Sequence, residues 1–122
     1  MGILTDEQLW GHIRGLQGQV VPTIDRGRPN PIRAVTEKLV EIEGRSSYPS
    51  RDYLVRCYHL VIKHRVLTER NLPHEFFDHR IARICMAILA KAVPQQIRAF
   101  PRGAGPVQAF GLSGIEVYNT DC

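Results

Sequence analysis

Arginine is the reactive side chain this sequence supplies most freely, and its natural chemistry is the capture of anions. Thirteen of the sixteen basic residues are Arg, whose planar fork grips phosphate or carboxylate oxygens two at a time, where Lys acts as a point charge. The groups that stand out are Arg26 and Arg28 in Asp25-Arg26-Gly27-Arg28-Pro29-Asn30-Pro31, Arg80 and Arg83 with Lys91 farther on, and Arg102 in Pro101-Arg102-Gly103-Ala104-Gly105-Pro106. Other chemistries find weaker support. His59 and His64, like His74 and His79, stand five residues apart, about 140° around a helix, so neither pair faces one metal ion. Cys57 and His64 share a face but lie about 10 Å apart along the axis. Ser113, in Gly111-Leu112-Ser113-Gly114, lacks the strand, nucleophile, helix order of a hydrolase elbow. Asp25 has no second carboxylate or Lys beside it to hold a nuclease metal. Glu41 and Glu43 share one strand face, which reads as solvated. Gly15 and Gly18 precede a strand, not the helix that a phosphate-cradling glycine loop requires. No metal or cofactor is expected, and the cysteines read as core packing.

The charge is unevenly distributed. Residues 1–44 carry five basic and six acidic side chains, residues 45–102 carry eleven and four, and residues 103–122 carry none and two. The net charges are therefore −1, +7 and −2, and the formal total is +4. A basic middle stretch rich in Arg directs attention to polyanions.

These residues must be held by a small scaffold. A chain of 122 residues fits one domain and buries enough surface to need no disulfide or metal staple. Three unpaired Cys point to a reducing, cytoplasmic setting. No leader is expected from Met1-Gly2-Ile3-Leu4-Thr5-Asp6, and the apolar run at 84–90 is far shorter than the ~20 residues of a bilayer span. Thr5-Asp6-Glu7-Gln8 is a capping-box pattern ahead of a helix over about 5–15, with Leu9, Trp10, Ile13 and Leu16 on its inner stripe. Extended segments follow at 20–24, 32–36 and 39–43, and the alternation of Val40 and Ile42 with Glu41 and Glu43 predicts a half-buried strand. They form a three-stranded antiparallel meander, with Pro22 marking an edge. Ser50 caps a helix over 51–65 with Leu54, Cys57, Tyr58 and Val61 inward. Residues 68–72 allow a short helical turn capped by Thr68, and 74–92 form a longer helix apolar on two faces, the second comprising Ala82, Met86, Leu89 and Val93. Extended segments at 95–100, 107–112 and 115–118 make a C-terminal hairpin with Arg102 near its tip.

The expected fold is α+β in one domain: a helix and small antiparallel sheet over 1–44, then helices and a hairpin over 45–122. The order of helix, short turn with Leu67-Thr68-Glu69-Arg70-Asn71-Leu72, longer helix and hairpin resembles winged helix-turn-helix domains over about residues 50–112. That resemblance implies DNA binding, with helix 74–92 in the major groove and the hairpin as a wing on the backbone. The middle helix is shorter than that pattern asks. The expected function is thus non-enzymatic nucleic-acid binding, duplex DNA favoured, through Arg80, Arg83, Lys91 and Arg102, with Arg26 and Arg28 as auxiliary phosphate contacts. The alternative is a non-catalytic interaction module that forms a homo-oligomer through Ala82, Met86, Leu89 and Val93. Two minor readings complete the set: a ligand sensor with Trp10, Tyr53, Tyr58 and Phe77 around a pocket, and a metal-independent RNase.

Overall fold

Thr5 opens the first helix as its spacing requires. Its hydroxyl accepts the Gln8 N–H at 3.1 Å while the Gln8 side chain accepts the Thr5 N–H at 3.0 Å, so two amides that a helix start leaves orphaned are satisfied. The computed structural model describes residues 2–72 and 79–119, and in it this helix, α1, runs Asp6–Arg14. It buries Leu9, Trp10 and Ile13. Indole Nε1 of Trp10 donates to the Thr36 carbonyl at 2.9 Å, which ties α1 to the sheet that follows.

That sheet is the expected meander: β1 (Val20–Pro22), β2 (Pro29–Val35) and β3 (Val40–Ile42), antiparallel in the order β1-β2-β3. Pro22 does lie on an edge strand. Pro29 and Pro31, expected in a loop, belong instead to the central strand. The Ile32 N–H donates toward the β1 side, to Gln19 at 2.8 Å, while the Pro31 carbonyl accepts Glu43 N–H at 3.0 Å on the other side. The prolines therefore aim their missing donors to the side where the β3 ladder has run out.

Ser50 caps α2 (Arg51–His64) by accepting the Tyr53 N–H at 3.1 Å, and Leu54, Cys57, Tyr58 and Val61 are buried as the wheel predicts. Arg65 ends the helix in the left-handed region, at φ 70°. The chain then forms β4 (Val66–Thr68), a strand that the sequence reading took for part of a helical turn. A 3-10 turn, Glu69–Asn71, follows with Thr68 as its cap. Helix α3 is described over His79–Ala92; the expected start at 74–78, with Phe77, lies outside the described residues. The hairpin exists as β5 (Ile97–Phe100) and β6 (Gly114–Val117). The segment expected as a strand over 107–112 is mostly connection, and holds a 3-10 turn, Val107–Ala109. Strand β6 pairs with both others, giving the order β4-β6-β5.

Three helices and two small antiparallel sheets make this an α+β fold. One apolar core runs from Leu4 to Val117, and α3 is its axis, touching α1, α2, β1, β5 and β6. Ala82, Met86, Leu89 and Val93, expected as an oligomer interface, are all buried within the chain itself, because a helix with two apolar faces found a partner for each inside its own fold. Trp10 and Tyr58 are likewise core side chains and not pocket walls. The phenol of Tyr58 accepts the Leu4 N–H at 2.9 Å and donates to Gln96 Oε1 at 2.8 Å; burial pushes its pKa up, with the Leu4 bond working the other way. Among the described residues no helix is long and apolar enough to cross a membrane.

Candidate functional site

The β1–β2 turn is built to present side chains outward. Thr23 N–H donates to the Arg28 carbonyl at 2.9 Å, Gly27 N–H donates back to the Thr23 carbonyl at 3.0 Å, and the Thr23 hydroxyl accepts the Arg28 N–H at 2.9 Å. Gly27 closes the turn at φ 64°, a conformation that costs Gly nothing. With the backbone satisfied internally, Asp25, Arg26 and Arg28 are free to serve as the tip's chemistry.

Asp25 fastens that tip to the far end of the chain. Its Oδ1 accepts the Arg102 backbone N–H at 3.1 Å and its Oδ2 accepts the Ser113 hydroxyl at 2.7 Å. The two bonds bridge from the first sheet to both limbs of the β5–β6 connection, so Arg102 is carried to the side of Arg26 and Arg28. Arg45, which leaves β3 toward α2, is aimed by Asn30: its Nε donates to Asn30 Oδ1 at 3.1 Å. The Asn30 amide in turn donates to the Val21 and Arg28 carbonyls, both at 3.1 Å, which fixes which end of the amide faces Arg45. Arg80 and Arg83 come from α3, one turn apart on its one polar stripe.

Together these residues line a single cavity of about 350 Å³, with apolar walls from Ile24, Ile84 and Met86. Among the described residues, six arginines, Arg26, Arg28, Arg45, Arg80, Arg83 and Arg102, line it with one carboxylate, Asp25. Arg83 is bonded to Glu69, which raises the guanidinium pKa further while burial opposes it. Among the described residues no carboxylate lies within ion-pair distance of Arg26, Arg28 or Arg102. Elsewhere four arginines are paired: Arg14 with Glu37, Arg33 with Glu41, Arg51 with Glu7 and Glu37, and Arg98 with Glu116. A concave surface with unneutralised guanidinium groups can hold several phosphate oxygens at once.

Five of the six cations expected from the sequence therefore meet in one place. Lys91 does not. It lies farther along α3, on a separate groove beside Pro22, Ile24 and Ala99. Sequence reading missed Arg45, whose approach depends on a bond to a strand residue fifteen positions earlier. It also missed the use of Asp25 and Ser113, which were weighed as catalytic residues and are a fastening. Among the described residues no group of His, Cys, Asp and Glu is arranged to hold a metal ion, and no His lines the cavity beside Ser113. Cys57 and Cys85 are buried, free thiols in contact between α2 and α3. Burial pushes the Cys85 pKa well up, and the bond to Cys57 adds to it.

Comparison with known protein families, with curated proteins and with solved structures finds no match.

Proposed function

We propose that this chain is a non-enzymatic nucleic-acid-binding protein that takes the sugar-phosphate backbone in the arginine-lined cavity. One observation carries the reading: arginines separated by up to 76 positions, from Arg26 to Arg102, converge on one concavity with a single carboxylate among its described lining residues. Guanidinium groups repel one another, and a site in which Arg26, Arg28 and Arg102 meet with no described carboxylate at ion-pair distance is best explained by an anion that completes it. Connected phosphates at regular spacing satisfy several such groups at once.

The element order over α2, β4, α3, β5 and β6 supports a winged-helix-like scaffold. Ile81, Ala82, Ile84, Cys85, Met86, Ala87, Ile88 and Leu89 are all buried, which leaves α3 only a narrow exposed stripe with Arg80, Arg83 and Lys91 and favours contact through the β1–β2 tip and the β5–β6 connection.

The test is a fluorescence anisotropy titration of labelled single-stranded and duplex oligonucleotides at low and moderate salt. Binding that weakens steeply with salt, and that Arg26→Ala/Arg28→Ala reduces at least tenfold without changing the unfolding transition, is the expected result. Absence of binding at low salt, or binding indifferent to salt or to these substitutions, overturns the reading.

A further inference from the structure

Phe110 stands at the end of the 3-10 turn Val107–Ala109 with 67% of its surface exposed. It is also held at φ 53°, a left-handed conformation that is disfavoured for an aromatic residue and usually left to glycine. Arg65, the other non-glycine residue with positive φ among those described, ends a helix; Phe110 ends a turn that projects its ring. Nearby Ala109 is fully buried and anchors the turn.

Two links set this ring beside the cavity. Gly103 N–H donates to the Gly111 carbonyl at 2.9 Å, so the neighbour of Arg102 is bonded to the neighbour of Phe110. On the other side the guanidinium of Arg70 lies 4.5 Å from the Phe110 ring centroid, while adjacent Glu69 is bonded to Arg83 of the cavity. Arg70 thus steadies one side of the ring by a cation–π contact, and most of the Phe110 surface stays exposed beside it.

An exposed aromatic plane next to a phosphate-binding cavity suits a base that is not already stacked in a helix. We propose that the ligand is single-stranded nucleic acid, with a base stacked on Phe110 and the adjoining phosphates in the arginine cavity. Base–aromatic stacking needs an unstacked base, tolerates any sequence, and complements a basic groove that follows the backbone. Duplex, whose bases are already stacked, offers Phe110 nothing. This inference rests on the proposed phosphate-binding role of the cavity.

The experiment uses a twelve-residue oligodeoxythymidine with one central 2-aminopurine, alone or annealed to its complement, titrated with the full chain and with Phe110→Ala, Phe110→Trp and Arg26→Ala/Arg28→Ala. The expected result is tighter binding of the single strand than of the duplex and a change in 2-aminopurine emission on binding. Phe110→Ala is expected to weaken single-strand binding about tenfold with the salt dependence kept, and Phe110→Trp to restore it. Equal binding by wild type and Phe110→Ala, or a loss that is the same for single strand and duplex, overturns the stacking role. If the arginine variant loses affinity while Phe110→Ala does not, the stacking inference fails and the phosphate site stands. If the arginine variant binds as wild type does, the phosphate site itself fails.

Discussion

At Asp25 a single carboxylate serves two opposed ends. It fastens the β1–β2 tip to Arg102 and Ser113, and it also places a negative charge in the cavity proposed to take anions. Replacing it with Asn keeps a carbonyl acceptor and removes the charge. We expect Asp25→Asn to bind oligonucleotide several-fold more tightly, while costing about 1 kcal/mol of stability because a charge-assisted bond on an exposed tip becomes a neutral one. Titrations and urea unfolding of the same preparation measure both. Phe110 shows the same tension between folding and use. Phe110→Gly relieves a left-handed φ of 53°, and is expected to leave stability unchanged or raise it by up to about 1 kcal/mol, yet to lose single-strand binding. A thermal melt beside a binding curve checks it, and a clear loss of stability would show that the ring is structural. That Arg26, Arg28, Arg80, Arg83 and Arg102 are the cations to watch was legible from residue type and local charge, and they line one cavity. The exposure of Phe110 was not, because nothing in Val107-Gln108-Ala109-Phe110-Gly111 distinguishes an outward ring from a strand's inward one.

Among the elements, the capping box at Thr5, the cap at Ser50 and the strand alternation at Val40–Ile42 could be read directly, since each depends on neighbours within a few positions. The two apolar faces of α3 were also legible, but not what would cover them, because that depends on α1, α2 and both sheets arriving around it. Strand β4 was missed for a related reason: three residues are too few to show alternation, and β4 exists because β6 pairs with it from far along the chain. The same pairing predicts a vulnerable point. A Cβ at Gly114 would come within 2.2 Å of the Leu67 carbonyl oxygen and 2.9 Å of Thr68 Cγ2. Backbone cannot yield as a side-chain tip does, so Gly114→Ala is expected to cost about 2–3 kcal/mol or more, seen as a lower urea midpoint. An unchanged midpoint would mean that β4 and β6 are not paired as described.

Over the whole molecule, charge separates into an occupied set and an open set. Arg14, Arg33, Arg51 and Arg98, away from the cavity, are paired with Glu, whereas Arg26, Arg28 and Arg102 within it have no described carboxylate at ion-pair distance, and that contrast appears only once the chain is folded. The core carries a pH signature of its own. Burial raises the Cys85 thiol above its ordinary 9.0 and the Tyr58 phenol above 10.0. Above pH 9 the unfolded chain therefore releases protons that the folded chain retains, so stability is full below that pH and falls as pH rises beyond it. The slope is up to about 1.4 kcal/mol per pH unit for each such group. Urea unfolding from pH 7.5 to 10.5 measures the fall, and Cys85→Ala is expected to flatten its first part.

The central claim, that arginines from four distant segments form one phosphate site, is tested most directly by the dependence of oligonucleotide affinity on salt. Each guanidinium that neutralises a phosphate adds about 0.7 to the slope of log K against log salt for a single strand. The site predicts that Arg26→Ala, Arg28→Ala and Arg102→Ala each lower the slope by about that amount and that the losses accumulate when combined. A slope that is the same in wild type and in the triple variant would contradict it.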